Sequence, residues 1–299
     1  MAEAGRIATV GMFDGVHLGH QWLVGCLVDE GRRRNLRPAV FTFDRHPLQL
    51  IAPAKAPQAL MTLDRRVEAL KSAGADDVFV LEFDDELRWL SASDFIKRLR
   101  DRYGVEAILM GYNHRFGSDC IVGFERYRGI GESLGVDIIK GREVTVGEEA
   151  VQVSSSAIRE DLRKGDVAAA AAKLGRSYSL SGEVVHGRAI GRSIGFPTAN
   201  IQLEDSRLLV PLNGVYAADV EYGSGQKGRA MVNIGVRPTV DDAESAPLSI
   251  EAHIIGVDEN LYGQRIKLDF LRRNRSERRF SSLEALRTQL SADMSAALQ

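Results

Sequence analysis

The chain has 299 residues, of which 44% are hydrophobic and 27% charged, and its formal net charge at pH 7 is −2. This length is enough for two domains with separate cores, and the balanced charge gives no reason to expect a nucleic acid as a partner. The absence from the sequence of a membrane-length apolar run, a signal-peptide pattern and a CxxC pair predicts a cytoplasmic protein that contacts no membrane, with its oligomeric state left open.

The first half of the chain alternates strand-like and helix-like segments. Apolar runs recur about every thirty residues, at Ile7–Val10, Ala39–Phe43, Val78–Leu81, Ala107–Met110 and Val136–Ile139. Helical patterns such as Asp94–Arg102 and Phe124–Leu134 lie between them. This rhythm predicts a parallel sheet covered by helices on both faces. If the strand order is 3-2-1-4-5, the loops after the first and fourth strands flank a ligand-binding crevice.

Two histidines follow the first predicted strand. His17 and His20 are three residues apart at the predicted start of a helix, where free backbone N–H groups favour an anion. Two imidazoles at such a site suggest chemistry on a polyphosphate. A zinc site is the alternative, but no cysteine or third histidine follows at a metal-like spacing. The other candidate ATP ligands in this segment are Gly11, Phe13, Asp14 and Gly19.

Some residues in the first half allow more than one interpretation. Asp14 could stabilise its turn or help position a nucleotide. Asn113, after the fourth strand, could hold a base edge or a phosphate, or belong to a polar turn that folds back on itself. Ser155 and Ser156 open a helical segment with Arg159 one turn later, so this segment could bind phosphate or be a plain N-cap.

The pattern changes near residue 160. Two helical segments, Ala157–Lys164 and Val167–Leu174, precede a region of short β-type runs separated by glycine-rich turns. These runs are Gly182–Val185, Val215–Val220, Ala230–Ile234, Ile250–Ile255 and Arg265–Phe270. They predict a small antiparallel β-barrel. The amphipathic segment Ser281–Leu298 predicts a terminal helix on the barrel, and the boundary near Arg176 gives domains 1–175 and 176–299.

A glycine-rich segment lies near the start of the second predicted domain. Its three glycines, spaced by four, make a loop that could wrap phosphates. Thr198 and Asn200 follow it and supply hard oxygen ligands of the kind that Mg²⁺ takes beside substrate phosphates. A glycine-rich hairpin is the alternative, although it would not explain the Pro-Thr-Ala-Asn sequence. The candidate phosphate ligands are Gly187, Arg188, Gly191, Gly195, Pro197 and Thr198.

The motifs of both halves resemble those of one family. The segment Gly195–Asn200 is similar to the magnesium-ATP motif of riboflavin kinases, and His-x-Gly-His at 17–20 is similar to the nucleotidyltransferase signature that contacts ATP phosphates. Nearly the whole chain resembles the bacterial bifunctional riboflavin kinase/FAD synthetases. This resemblance implies a Rossmann-like nucleotidyltransferase domain (α/β) followed by a riboflavin-kinase-type antiparallel β-barrel. It also implies that ATP and Mg²⁺ convert riboflavin to FMN, and that FMN and ATP then give FAD and pyrophosphate.

The resemblance also implies roles for individual residues. Glu251 corresponds to the base that takes the proton of the ribityl 5′-hydroxyl, although on sequence alone it could be a solvent-facing strand residue. Thr198 and Asn200 would orient Mg²⁺. Arg275 and Glu277 match positions near the flavin, in a basic run that is otherwise typical of a solvated surface.

Three residues depart from the family's pattern: Arg45, His114 and Ala157. Two alternatives to the bifunctional enzyme follow. One is a riboflavin kinase whose first domain is impaired at His114 and Ala157. The other is a carrier or sensor that binds flavin without turnover, which the presence of His17, His20 and Glu251 argues against.

Overall fold

A computed structural model of the chain describes residues 5–111, 114–141, 153–187, 195–236 and 248–298. The chain divides into two compact units, Met1–Val153 and Ser154–Gln299. Of the predicted site residues, Asn113, Arg188 and Gly191 lie outside the described ranges.

A parallel sheet of five strands, in the order β3-β2-β1-β4-β5, forms the centre of the first unit. The strands are β1 (Arg6–Val10), β2 (Arg37–Phe43), β3 (Asp77–Leu81), β4 (Val105–Met110) and β5 (Asp137–Lys140). The five apolar runs are therefore confirmed as strands, and the strand order is the one that the crevice requires. Because β1 lies between β2 and β4, the loops that leave β1 and β4 begin side by side at the carboxyl edge of the sheet.

Helices pack on both faces of this sheet. They are α1 (Leu18–Arg34), α2 (Pro47–Ile51), α3 (Leu63–Ser72), α4 (Asp85–Arg88), α5 (Ala92–Tyr103) and α6 (Phe124–Leu134), with a 3-10 turn at Pro53–Lys55. Successive residues of β1 face opposite sides, so Ile7 packs in one core cluster with Leu27 and Leu70, and Ala8 packs in another with Ile96. Because both faces of the sheet are buried, its strands appear in the sequence as continuous apolar runs.

The second unit contains a closed barrel of six strands in the order β10-β7-β6-β11-β8-β9. The strands are β6 (Tyr178–Val185), β7 (Ala199–Leu203), β8 (Gly214–Tyr222), β9 (Gln226–Val236), β10 (Leu248–Ile254) and β11 (Arg265–Arg275). All neighbouring strands pair antiparallel, which confirms the predicted barrel. Five of these strands match the predicted β-type runs, whereas β7 was not predicted, because its short segment resembles the end of the glycine-rich loop before it.

Two helices precede the barrel, α7 (Ser155–Lys164) and α8 (Val167–Leu174), and both belong to the second unit. The Leu212 N–H donates to the Leu162 carbonyl at 3.0 Å, and a Cβ atom at Gly165 would lie 2.7 Å from Arg273 Cδ. The compact unit thus begins about twenty residues before the predicted domain boundary, because the apolar faces of these helices pack with the barrel.

The terminal helix α9 (Leu283–Leu298) also packs on the barrel. Leu290 and Met294 contact a core cluster formed by Phe196, Val215 and Met231, as the amphipathic pattern predicts. At the start of the helix, the Ser282 hydroxyl accepts a hydrogen bond from the Ala285 N–H at 3.1 Å, as an N-cap residue does.

Candidate active sites

The chain leaves β1 of the first unit through a turn with unusual backbone angles. Phe13 has φ 50° and Val16 has φ 36°, values that residues with side chains rarely adopt, and both side chains are buried. The turn is fixed from outside, because Thr42 Oγ1 and Arg66 Nη1 both donate to the Met12 carbonyl, at 3.1 and 2.9 Å. Strained backbone of this kind concentrates at functional sites.

Asp14 ties this turn to the segment before α3. Both carboxylate oxygens accept a hydrogen bond from the backbone N–H of Leu60, at 3.0 and 3.1 Å, and the side chain is buried. Of the two roles that the sequence allowed for Asp14, these contacts supply the structural one.

His17 and His20 lie together where α1 begins. His17 is the N-cap residue of α1, and its Nδ1 accepts a hydrogen bond from the His20 N–H at 3.3 Å. The two rings are stacked with their centroids 3.6 Å apart. A Cβ atom at Gly19 would lie 3.3 Å from the His17 ring and 3.8 Å from the Val153 carbonyl, so glycine permits this close approach. The structure therefore brings the two imidazoles to a helix N-terminus, as predicted.

A third imidazole, that of His114, joins them from the loop after β4. The Phe13 ring is edge-on to both His20 and His114, with centroids 5.1 and 6.5 Å apart. Burial, with smaller contributions from His17 and His114, lowers the pKa of His20 well below its usual 6.5, and burial lowers the pKa of His114 to about 4. Both rings are neutral at pH 7. The buried His20 Nδ1 has no hydrogen-bond partner within the described ranges.

The sequence placed the loop after β4 beside the same crevice, but it did not predict that the His114 ring joins this cluster. No group of three or more His, Cys, Asp or Glu side chains in the described part of the chain is arranged to hold a metal ion.

The serine-rich segment after residue 153 belongs to the second unit. Ser154 is the N-cap of α7, with its hydroxyl accepting from the Ala157 N–H at 3.2 Å, while Ser155 and Ser156 form the first turn. Arg159 is buried one turn later.

The first unit also contains an apolar cavity of about 360 Å³. Aromatic side chains from several elements form much of its wall, among them Phe43, Phe83, Trp89, Phe95 and Phe116. Arg88, Arg115 and Cys120 also line it. This cavity is not predictable from local sequence patterns, because its wall comes from segments spread over residues 43–120.

In the second unit, strand register brings the predicted kinase residues together. Glu251 of β10 is paired with Asn200 of β7 on one side and with Asn233 of β9 on the other. A cavity of about 310 Å³ adjoins them, and four residues predicted from sequence line it: Thr198, Glu251, Arg275 and Glu277. Leu286 and Leu290 of α9 complete part of its wall.

The glycine-rich segment packs tightly against this site. A Cβ atom at Gly187 would lie 2.0 Å from Asn200 Nδ2, and Gly195 has φ 86°, a value that favours glycine. The Pro197 carbonyl lies 2.8 Å from Nδ1 of the buried His253, which fixes the backbone just before Thr198. The sequence analysis did not predict this role for His253.

Arg275 and Glu277 are held by neighbouring side chains. Arg275 forms an ion pair with the buried Asp293 of α9, with Nη2 2.7 Å from Oδ2. Glu277 Oε1 accepts a hydrogen bond from Asn233 Nδ2 at 3.3 Å. The basic run at 272–279 is therefore partly a wall of the cavity rather than a purely solvated surface.

Comparison with known proteins matches two different family models to the two parts of the chain. A family model described as FAD synthetase matches residues 1–157, and one described as riboflavin kinase matches residues 174–299. The bifunctional riboflavin kinase/FMN adenylyltransferase of Escherichia coli K12 is 38% identical over 97% of this chain and 91% of its own. The chain belongs to the bifunctional riboflavin kinase/FMN adenylyltransferase family. It phosphorylates riboflavin to FMN and adenylylates FMN to FAD, with ATP as co-substrate.

Other relatives support the family and the fold. The enzyme of the same name from Bacillus subtilis is 32% identical over 99% of this chain and 93% of its own. A crystal structure described as a macrolide-efflux protein from Streptococcus pneumoniae is 29% identical, with a TM-score of 0.87 over 100% of this chain and 95% of that one. Within the described ranges of this chain, no helix has both the length and the apolar character needed to cross a membrane.

Proposed function

We propose that the two reactions occur at two separate sites, riboflavin phosphorylation in the barrel of the second unit and adenylyl transfer at the histidine cluster of the first. The observation that carries this assignment is the meeting of Thr198, Glu251, Arg275 and Glu277 around one cavity. The matched residues of the two family models, 1–157 and 174–299, support the same division. We keep the boundary between the two catalytic regions near Arg176.

In the kinase reaction, riboflavin places its ring in the barrel cavity and its ribityl chain toward Glu251. The Glu251 carboxylate takes the proton of the 5′-hydroxyl, whose oxygen forms a bond to the γ-phosphorus of ATP as the bond to the ADP oxygen breaks. The amide side chains of Asn200 and Asn233, on the two neighbouring strands, lie where they can orient this carboxylate or the phosphate.

Thr198 and Asn200 fit a Mg²⁺ ion in this reaction. Thr198 immediately precedes β7 and Asn200 is the second residue of that strand, so the two oxygen-bearing side chains lie two residues apart at one end of β7. The tight space beside Gly187 holds the Asn200 amide in place. The hydroxyl and amide oxygens are hard, neutral ligands, which suit a cation whose other ligands are phosphate oxygens and water. When bound, Mg²⁺ would neutralise charge on the ATP phosphates.

In the adenylyl-transfer reaction, a phosphate oxygen of FMN attacks the α-phosphorus of ATP and pyrophosphate leaves. His17 and His20 are placed to donate hydrogen bonds to the phosphate oxygens, and the N-terminus of α1 adds its backbone dipole. Because the pKa of His20 lies well below 6.5, it acts as a neutral N–H donor in the free enzyme rather than as a cation. We assign the FMN ring to the aromatic cavity of about 360 Å³ in the same unit.

We also propose that the protein works in the cytoplasm, where ATP, the co-substrate of both reactions, is made and consumed. We propose no nucleic-acid or membrane partner, and its small-molecule partners are riboflavin, FMN and ATP.

A time course with riboflavin, ATP and Mg²⁺ tests the pair of reactions, with the flavins separated by chromatography. We expect FMN first and FAD later, and FAD at once when FMN is supplied. FMN without FAD, even from supplied FMN, would mean that the departures at Arg45, His114 and Ala157 disable the first site. Flavin binding with no consumption of ATP would indicate a carrier instead.

A further inference from the structure

Three arginines at the end of the barrel contact successive turns of α9. Arg272 donates to the Ala296 carbonyl, Arg275 to the Asp293 carboxylate, and Arg278 to the Gln289 side chain. The arginines are three residues apart, and their partners, at 289, 293 and 296, lie on one face of the helix. This basic run therefore holds the part of α9 from Gln289 to Ala296 against the barrel.

The contact between Arg275 and Asp293 is the central one of the three, and it differs from the other two. Asp293 is the only carboxylate among the three helix partners, and its side chain is 5% exposed. Nε of Arg275 lies 3.1 and 3.0 Å from its two oxygens, and Nη2 lies 2.7 Å from Oδ2. Gln289 Nε2 adds a fourth hydrogen bond at 2.7 Å. A buried carboxylate with this many donors holds its partner in one orientation.

Arg275 is also part of the barrel cavity. Its third nitrogen, Nη1, donates to the Ser276 carbonyl at 3.0 Å, so all three guanidinium nitrogens have an acceptor within the chain. The guanidinium carbon lies 5.7 Å from the centroid of the Phe280 ring, which lines the same cavity. The planar guanidinium is thus fixed beside an aromatic ring, an arrangement suited to the flat face of a flavin.

We propose that Asp293 is a positioning residue for riboflavin binding, which acts by holding Arg275 in the wall of the cavity. The proposal rests on the assignment of riboflavin to this cavity. Without Asp293, the Arg275 charge loses its buried partner and its orientation, and the part of the cavity wall that Arg275 forms loses its shape. The terminal helix α9 then contributes to the kinase site both through this ion pair and through the apolar side chains that line the cavity.

The test compares Asp293→Asn, Arg275→Ala and the double variant in kinase assays with riboflavin and ATP varied separately. We expect each single variant to raise the KM for riboflavin by about tenfold or more, with the KM for ATP nearly unchanged. The double variant should bind riboflavin no worse than Arg275→Ala, because Asp293 acts through Arg275. Asp293→Glu, which keeps the charge, should fall between the wild type and Asp293→Asn.

Two controls separate positioning from stability. Arg279→Ala and Glu284→Gln remove exposed charges from the same basic run and the same helix, and should leave the KM for riboflavin unchanged. FAD formation from supplied FMN should persist in every variant, since that reaction belongs to the first unit.

Three outcomes would overturn the proposal. An Asp293→Asn enzyme that melts at a lower temperature but keeps its KM for riboflavin would show a purely structural role. Equal increases in the KM for riboflavin and for ATP would show general damage to the barrel. An Arg275→Ala enzyme with a normal KM for riboflavin would refute the location of riboflavin itself, and so the proposed kinase site as well.

Discussion

The imidazole rings of His17 and His20 are stacked nearly parallel, with their planes inclined by 17° and their centroids 3.6 Å apart. Burial and this proximity both disfavour protonation of His20, whose pKa lies well below 6.5. The two rings differ in their hydrogen bonds. His17 Nδ1 caps the helix, whereas the buried His20 Nδ1 has no partner in the described ranges. His20 is thus the imidazole that can be removed without removing the helix cap.

Replacing His20 by alanine should abolish FAD formation and leave FMN formation from riboflavin intact. We expect the rate of FAD formation from supplied FMN to fall by about two orders of magnitude or more, as when one preorganised donor to a transition state is lost. The flavins are followed by chromatography. His17→Asn is the matched variant, because asparagine can keep the cap. Normal FAD formation in both variants would contradict the role of the pair.

Replacing Glu251 by glutamine should impair FMN formation from riboflavin and leave FAD formation from supplied FMN intact. Glutamine has almost the same shape, but it cannot take the proton of the 5′-hydroxyl, so FMN formation should fall by about two orders of magnitude or more. FAD formation from supplied FMN should continue at the wild-type rate. His253→Ala tests the neighbouring contact with the Pro197 carbonyl, and we expect a smaller loss from it. Full kinase activity in the Glu251 variant would eliminate that residue as the base.

The sequence predicted much of the fold because local patterns determine it. Continuous apolar runs and helical spacing identified all five strands of the sheet, and two helices, Phe124–Leu134 and Val167–Leu174, have the observed bounds. The stacked histidines were also predictable, since both side chains belong to one short motif. The five-residue strand β7 was missed because its pattern is too short to separate from the loop before it.

Other parts of the sites depend on contacts between distant segments. His114 reaches the histidine cluster because β4 pairs with β1. Asp293 reaches Arg275 because α9 packs on the barrel. The wall of the aromatic cavity is assembled from several elements, so no single stretch of sequence contains its pattern. The sequence left two roles open for Asp14, and its contact with the Leu60 N–H, 46 residues away, is visible only in the structure.

The first unit should lose stability in acid through its buried histidines. The pKa of His114 is 6.5 when unfolded and about 4 when folded, so between these values the unfolded chain binds a proton that the folded chain does not. The free energy of unfolding should therefore fall as the pH drops from 6.5 toward 4, by up to about 1.4 kcal/mol per pH unit for each such group. The lowered pKa of His20 acts in the same direction.

Tryptophan fluorescence measures this effect in the first unit, because both tryptophans, Trp22 and Trp89, belong to it. The His114→Phe variant should show a shallower fall in unfolding free energy with decreasing pH than the wild type. Identical pH dependence in the two proteins would mean that the His114 side chain is accessible to protons in the folded state.

FMN should protect Cys120 from alkylation. Cys120 is exposed and lines the aromatic cavity, whereas Cys26 is a partly buried residue of α1. In a Cys26→Ser variant, the rate of maleimide labelling reports on Cys120 alone, and saturating FMN should lower it several-fold. ATP without FMN should protect much less. Equal labelling with and without FMN would place the flavin elsewhere in the unit.

In the proposed function, one chain carries two separate active sites, and FMN is the product of the barrel site and the substrate of the histidine site. The most direct test of this function mixes the His20→Ala and Glu251→Gln proteins with riboflavin, ATP and Mg²⁺ and measures FAD over time. Neither protein alone should form FAD from riboflavin, while the mixture should, because FMN made by the barrel of one is adenylylated by the first unit of the other. A mixture that forms FMN but no FAD, although the Glu251 variant converts supplied FMN, would contradict transfer of free FMN between independent sites.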